Sequence, residues 1–79
     1  MRVHLSLQVV RYLRALGEQS AEVQKAIQSL RYTPYPDWAF VTKSRPDCYQ
    51  FFVAGYWIVY KVDKSGTETV ISIVAVEEN

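Results

Sequence analysis

The amino-acid sequence predicts an α+β domain in which an antiparallel pair of helices packs on one face of a twisted antiparallel β-sheet. Two observations carry this prediction. The first half of the chain has apolar residues at helical spacing, and the second half alternates in segments rich in aromatic and β-branched residues. Pro34 and Pro36 separate the halves. Because neither half could bury a core alone, we expect a single domain over residues 1–79.

Two stretches carry the helical signal. Ser6 can cap a helix over residues 7–16, and Gly17 can end that helix because glycine readily adopts the left-handed conformation. A second apolar stripe predicts a helix over residues 20–30, with Ser20 as its N-cap. The joint between the two helices is short, so the sequence predicts an antiparallel helix hairpin whose apolar faces cover a sheet.

Five segments carry the strand signal. They are residues 2–5, 38–43, 48–53, 56–62 and 68–76. Between the third and the fourth, Ala54 and Gly55 fit a two-residue hairpin loop. That loop sets the register of the two longest aromatic strands and therefore decides which side chains share a face of the sheet.

The predicted hairpin register places its side chains on two different faces. Phe51 and Ile58 oppose each other on the face toward the helices. Phe52 opposes Trp57 on the other face, and directly opposed side chains lie close enough to touch. The same outer face carries three further residues, Gln50 opposite Val59 and Lys61 beyond them.

The order of elements and three stretches of sequence resemble the RelE/ParE toxins of bacterial type II toxin–antitoxin modules. The stretches are Pro46-Asp47-Cys48-Tyr49, residues 55–62 from Gly55-Tyr56-Trp57 onward, and Val70 to Val74. The chain is most similar to the RelE-type members, which cleave mRNA in the ribosomal A site without a metal. The resemblance covers nearly the whole chain and implies the same α+β fold.

The resemblance also implies where nuclease residues would lie. Two lysines of RelE-type enzymes fall on Gln50 and Phe52, and an arginine falls on Trp57. The remaining arginine and tyrosine lie beyond the last predicted strand. A facing lysine and arginine would stabilise charge on a transferring phosphoryl group, whereas aromatic rings cannot. We therefore expect an apolar patch where the nucleases have a cationic site.

Three interpretations of Phe52 and Trp57 remain open at this stage. Together with Val59 they could form a protein interface, in which tryptophan is a favoured anchor. They could equally pack under a loop, or stack nucleic-acid bases. A second group, Lys43, Arg45 and Lys61, could contact RNA phosphates or could be a solvated strand edge.

Composition excludes several classes of function. The net charge of +1 gives no general case for nucleic-acid binding. One cysteine and one histidine predict neither a disulfide nor a metal site, and no motif predicts a cofactor. No apolar run is long enough for a membrane span and no signal peptide is evident, so the cytoplasm is the expected location.

These observations leave three functional hypotheses. The first is a toxin-type protein that acts by binding an antitoxin, and a target such as the ribosome or DNA gyrase, with a degenerate nuclease site. The second is an active ribosome-dependent mRNA endoribonuclease that uses other residues, such as Arg45, Tyr60 and Lys61. The third is a non-toxic interaction module. The exposed patch would contact either an antitoxin or a second copy of the chain.

Overall fold

The computed structural model describes residues 2–42, 47–64 and 66–78, which form helices on a mixed five-stranded sheet. The helices are α1 (Leu7–Leu16) and α2 (Ala21–Ser29), joined by a 3₁₀ turn (Gly17–Ser20). The strands are β1 (Arg2–Leu5), β2 (Phe40–Val41), β3 (Cys48–Val53), β4 (Tyr56–Asp63) and β5 (Val70–Glu78). Their order in the sheet is β1-β5-β4-β3-β2. The predicted α+β class is confirmed.

The sequence predicted a purely antiparallel sheet, but the observed sheet is mixed. β1 runs parallel to β5, with Arg2 beside Val70 and Leu5 beside Ile73, while the other neighbouring strands are antiparallel. The hydrophobic alternation of a short strand is the same in both directions, so alternation does not reveal strand direction. β1 and β5 are also the first and last strands, so no tight turn constrains how they pair.

The helical region departs from prediction at its joint. Ser6 caps α1 as expected, since its Oγ accepts a hydrogen bond from the Val9 N–H at 3.3 Å. Gly17 has the expected positive φ of 62°. Ser20 is the N-cap residue of α2 as predicted, but its side chain makes no capping hydrogen bond: its hydroxyl donates to the Gly17 carbonyl oxygen at 2.7 Å and accepts from the Gln24 side chain. The helices continue into each other through a 3₁₀ turn, and the predicted antiparallel hairpin is not matched.

One hydrophobic core joins both helices to the sheet. α1 packs against β5 and α2 against β3. The buried members of this core are Val9, Leu13, Val23, Ile27, Leu30, Phe51, Ile58, Tyr60, Ile71 and Ile73. The helices therefore cover one face of the sheet, and the opposite face has no helix of the described chain upon it.

The β3–β4 hairpin has the predicted register. Phe51 pairs with Ile58 and Phe52 with Trp57. The loop residues Ala54 and Gly55 both have positive φ, 51° and 88°, as a type I′ hairpin turn requires. The local turn chemistry thus fixed the orientation of every side chain on these two strands.

The outer strands differ from their predicted bounds. β2 contains only Phe40–Val41, because the Ala39 N–H is held by the Pro36 carbonyl at 3.0 Å and the chain is still turning at that point. The predicted end of this strand and the turn after it fall on residues 43–46, outside the described residues. β5 begins later than expected and extends to Glu78.

Candidate functional site

The sheet face opposite the helices carries three contacting aromatic side chains, which we call the aromatic patch: Phe40, Phe52 and Trp57. The ring centroids of Phe52 and Trp57 lie 5.1 Å apart, and those of Phe40 and Trp57 lie 6.1 Å apart. Phe40 and Phe52 remain 49% and 48% exposed. Two large rings that are half in water form a surface on which further apolar area could be buried.

Phe40 is the member that sequence reasoning missed. The sequence predicted a strand over residues 38–43 but did not predict which residues of the hairpin this strand pairs with. In the structure β2 pairs Phe40 with Gln50, which brings its ring onto the same face as Trp57. The prolines and turn before β2 determine this register, and alternation over two residues carries too little signal to predict it.

The sequence predicted that Val59 would be part of the exposed surface with Phe52 and Trp57, but the structure buries it. It lies on β4 between Gln50 of β3 and Ala75 of β5, and only 6% of it is exposed. A small side chain in the middle of a sheet is shielded by larger neighbours. The rings of Phe40 and Trp57, which contact each other on the same face, are such neighbours of Val59. Gln50, where the sequence resemblance places a lysine of RelE-type enzymes, is half-buried here.

Lys61 is on the same strand as Trp57 but well away from it. Four residues along β4 correspond to about 13 Å. Lys61 instead lines an open pocket of about 460 Å³, together with Lys64 and two carboxylates, Asp47 and Asp63. The carboxylates offset the lysines, so the described lining is not a strongly cationic clamp. The two other cations predicted for phosphate contact, Lys43 and Arg45, lie outside the described residues.

The hydroxyl of Tyr60 has a structural role. Tyr60 is fully buried, and its hydroxyl donates a hydrogen bond to the Pro34 carbonyl oxygen at 2.8 Å. Burial, followed by the neighbouring Tyr49 and Tyr35, raises the pKa of Tyr60 to about 12. A phenol that is buried, bonded and this weakly acidic is poorly suited to proton transfer at neutral pH.

Aromatic side chains on the helix side connect the proline-containing segment to the sheet. Tyr35 meets Tyr49 at 5.2 Å, and Trp38 meets Phe51 at 4.7 Å. These contacts hold this segment against the core. Tyr32 is 82% exposed and lies outside this group of rings.

The described residues offer little for metal or membrane chemistry. Within residues 2–42, 47–64 and 66–78, no three His, Cys, Asp or Glu side chains are grouped so that they could hold a metal ion. None of the helices in these ranges has both the length and the apolar character needed to cross a bilayer. The free thiol of Cys48 is buried.

The fold matches a known class of protein. A solved structure described as a YoeB/ParE toxin from Agrobacterium tumefaciens superposes with a TM-score of 0.79, covering 100% of this chain and 99% of that one. The sequence identity is 14%, so the likeness concerns the fold. No family model matches the chain, and a search of curated proteins by sequence found no match either.

Proposed function

We propose that this chain is a RelE/ParE-like, toxin-type protein of a bacterial toxin–antitoxin system, working in the cytoplasm and acting by binding other proteins. The fold is shared over its whole length with a YoeB/ParE toxin. The first binding partner we propose is a cognate antitoxin, and the second is a cellular target such as the ribosome or DNA gyrase. The proposal assigns the partner-binding role to the aromatic patch.

The observation that carries this proposal is the contact between Phe52 and Trp57. These rings occupy the positions where the RelE-type resemblance places a lysine and an arginine, and they touch at 5.1 Å. Neither ring can neutralise charge on a phosphoryl group, so the substitutions remove the electrostatic basis of cleavage. Exposed aromatic side chains on a strand face are instead typical of interface anchors.

The alternative of an active ribonuclease receives less support from the described residues. It would need Tyr60 to move a proton, and that hydroxyl is buried against the Pro34 carbonyl. Lys61 would have to act about 13 Å along β4 from Trp57, in a pocket that also contains Asp47 and Asp63. Arg45, the third residue of this alternative, lies outside the described residues.

The experiment that tests the binding role compares two substitutions. Trp57→Lys places a charge within the aromatic patch, and Tyr32→Lys places the same charge on a residue that is 82% exposed and outside it. The binding partner in the assay is the product of a short reading frame adjacent to the gene for this chain. We expect Trp57→Lys to weaken that complex at least about tenfold while Tyr32→Lys leaves it unchanged.

Folding is monitored for both variants by circular dichroism, so that a loss of binding is not confused with unfolding. Sedimentation measurements on each variant report whether the aromatic patch joins two copies of the chain instead. If both variants bind the partner and self-associate as the parent protein does, the aromatic patch has no binding role and this part of the proposal is wrong.

Toxicity itself is tested by expression. The parent chain, expressed alone from an inducible promoter, should arrest bacterial growth, and co-expression of the adjacent reading frame should restore it. Growth that continues when the chain is expressed alone and folded would favour the non-toxic interaction module. Arrest accompanied by ribosome-dependent mRNA cleavage would favour the ribonuclease.

A further inference from the structure

The proline-containing segment, residues 34–39, leads around the edge of β3 from one face of the sheet to the other. Trp38 lies on the helix side, where its ring centroid is 4.7 Å from that of Phe51. Two residues later the ring of Phe40 lies on the opposite face, with its centroid 6.1 Å from that of Trp57. The segment therefore connects a group of rings in the core with the aromatic patch.

β2 is too short to fix the position of Phe40 by itself. It contains two residues, pairs only with β3 and forms an outer edge of the sheet. Phe40 is half exposed, so burial holds its ring only in part. After β2, the chain is held by a bond from the Thr42 N–H to the Cys48 carbonyl oxygen at 3.0 Å. Before β2, the position of Phe40 depends on how the proline-containing segment is held.

Tyr60 is at the centre of the contacts that hold this segment. Its hydroxyl donates a hydrogen bond to the Pro34 carbonyl oxygen at 2.8 Å. Its ring stacks on Tyr49 at 5.6 Å and meets the edge of Phe51 at 6.0 Å. The same two rings contact the aromatic side chains of the segment, Tyr35 and Trp38.

The hydrogen bond is the directional part of this arrangement. Ring contacts tolerate sliding, whereas the bond from the Tyr60 hydroxyl fixes the position of one main-chain atom. Tyr60 is fully buried on the central strand β4, so its hydroxyl is held rigidly. Pro34 is only half-buried, so its carbonyl can turn to water when the donor is removed. Loss of this hydroxyl would therefore release the segment while the ring of residue 60 stays in the core.

We propose that Tyr60 is a positioning residue for partner binding. By holding the Pro34 carbonyl on the helix side of the sheet, Tyr60 keeps Phe40 against Trp57 on the opposite face. Phe40 thereby completes the surface that a protein partner contacts, and this inference rests on the proposed function of the aromatic patch. Tyr60 is itself buried, so its effect on binding passes through Phe40.

The size of the effect follows from the strength of one hydrogen bond. A hydrogen bond of ordinary net strength changes an equilibrium about threefold to tenfold. The apparent affinity for a partner falls with the fraction of molecules that are in the binding-competent arrangement. We therefore expect Tyr60→Phe, which removes the hydroxyl and keeps the ring, to weaken the partner complex about threefold to tenfold.

The first measurement is made on the free chain and needs no partner. In the isotopically labelled parent chain, nuclear Overhauser contacts between the ring protons of Phe40 and Trp57 report the arrangement of the aromatic patch. We expect Tyr60→Phe to lose these contacts and to keep those between Phe52 and Trp57, which belong to the hairpin. Tyr49→Phe is the matched control, since it removes a hydroxyl from the adjacent stacked ring and leaves the bond to Pro34 intact.

The second measurement is binding to the product of the adjacent reading frame, with folding followed by circular dichroism. Tyr60→Phe should weaken the complex in the parent chain and have no further effect in a Phe40→Ala background. Ile71→Val removes one buried methyl group on β5, away from the proline-containing segment, and lowers stability by a comparable amount. It should leave binding unchanged. The double-mutant comparison separates positioning of Phe40 from a general loss of stability.

Two results would overturn the inference outright. Ring contacts between Phe40 and Trp57 that persist in Tyr60→Phe would show that the hydroxyl does not position Phe40. A loss of binding that is the same with and without the Phe40 ring, or that Ile71→Val reproduces, would assign the effect to stability alone.

A different result separates this inference from the proposed function. The ring contacts could be lost in Tyr60→Phe while Phe40→Ala and Trp57→Lys both bind the partner as the parent chain does. The aromatic patch would then have no binding role, and the binding part of this inference would be wrong with it. The positioning of Phe40 by Tyr60 in the free chain would stand.

Discussion

The hydroxyl of Tyr60 donates a hydrogen bond to the main-chain carbonyl oxygen of Pro34 across 2.8 Å, joining positions that are 26 residues apart in the chain. This bond ties the proline-containing segment to the central strand β4. The nearby ring contact of Tyr35 with Tyr49 and the stacking of Tyr49 on Tyr60 support the same connection. The segment leading to the aromatic patch is therefore held by the core and not by its own secondary structure.

The first prediction concerns stability at alkaline pH. The pKa of Tyr60 is about 12 in the folded chain against 10.0 for a free phenol, so the folded state favours the neutral form. Its contribution is fully present below about pH 10 and is lost as the pH rises through 10 to 12. We expect this loss to reach roughly 2–3 kcal/mol in the free energy of unfolding, since each pKa unit corresponds to about 1.4 kcal/mol.

The measurement is urea unfolding of the parent chain and of Tyr60→Phe at several pH values between 7 and 12. Tyr60→Phe should cost about 1 kcal/mol at pH 7, because the Pro34 carbonyl loses its donor. Its stability should then fall less steeply than that of the parent above pH 10. Tyr32→Phe is the control, since Tyr32 is exposed and should behave as the parent does. Equal slopes for Tyr60→Phe and the parent would contradict the assignment.

The second prediction concerns RNA cleavage. The chain should not cleave mRNA on programmed ribosomes at a rate near that of a RelE-type enzyme used as positive control, because the proposed resemblance puts the rings of Phe52 and Trp57 where those enzymes have a cationic pair. Primer extension on ribosome-bound message measures the cleavage. Cleavage at a comparable rate that disappears in Lys61→Ala or Arg45→Ala would show that other residues perform the chemistry.

Local sequence signals predicted the parts of the fold that depend on near neighbours. Ser6, Gly17 and the loop at Ala54 and Gly55 each act within a few residues, and the structure has the cap, the helix end and the hairpin they indicate. Phe52 and Trp57 were paired correctly for the same reason. The two-residue loop leaves only one register for the strands on either side of it.

The features that sequence reasoning missed depend on distant parts of the chain. The parallel pairing of Arg2 with Val70 joins the two ends of the sequence, and nothing local reports its direction. The burial of Val59 depends on strands on both sides of it, and the position of Phe40 depends on the turn before β2. Ser20 is at the predicted N-cap position, but its hydroxyl can bond either to the helix that follows or to the carbonyl before it, and in the 3₁₀ turn it makes the second bond.

The third prediction concerns the coupling within the aromatic patch. The rings of Phe52 and Trp57 touch from opposed positions on adjacent strands, and such cross-strand aromatic pairs contribute roughly 0.5–1 kcal/mol beyond their separate burial. A double-mutant cycle of Phe52→Ala and Trp57→Ala, followed by urea unfolding, measures this coupling. The cycle of Phe52→Ala with Tyr32→Ala is the control and should show additivity. Additivity in both cycles would mean that the two rings are adjacent without stabilising each other.

The last prediction concerns the hairpin turn that sets the register of the aromatic patch. Ala54 has a φ of 51° and Gly55 a φ of 88°, and a residue with a Cβ pays for such a conformation while asparagine tolerates it best. Ala54→Asn should therefore raise the free energy of unfolding by about 0.5–1 kcal/mol, and Gly55→Ala should lower it by about 1–2 kcal/mol. The Cβ added at Gly55 would meet no atom within 4 Å, so the loss measures backbone strain and not a steric clash.

Thermal unfolding followed by circular dichroism measures both changes, which correspond to shifts of about 4–8 °C in Tm per kcal/mol for a domain of this size. Ala54→Ser is the control, because serine has no comparable tolerance of positive φ and should leave the Tm nearly unchanged. Opposite shifts for Ala54→Asn and Gly55→Ala would confirm that the loop stores strain at Ala54. If Ala54→Asn destabilised the chain as much as Gly55→Ala does, the turn could not have the type I′ geometry that aligns Phe52 with Trp57.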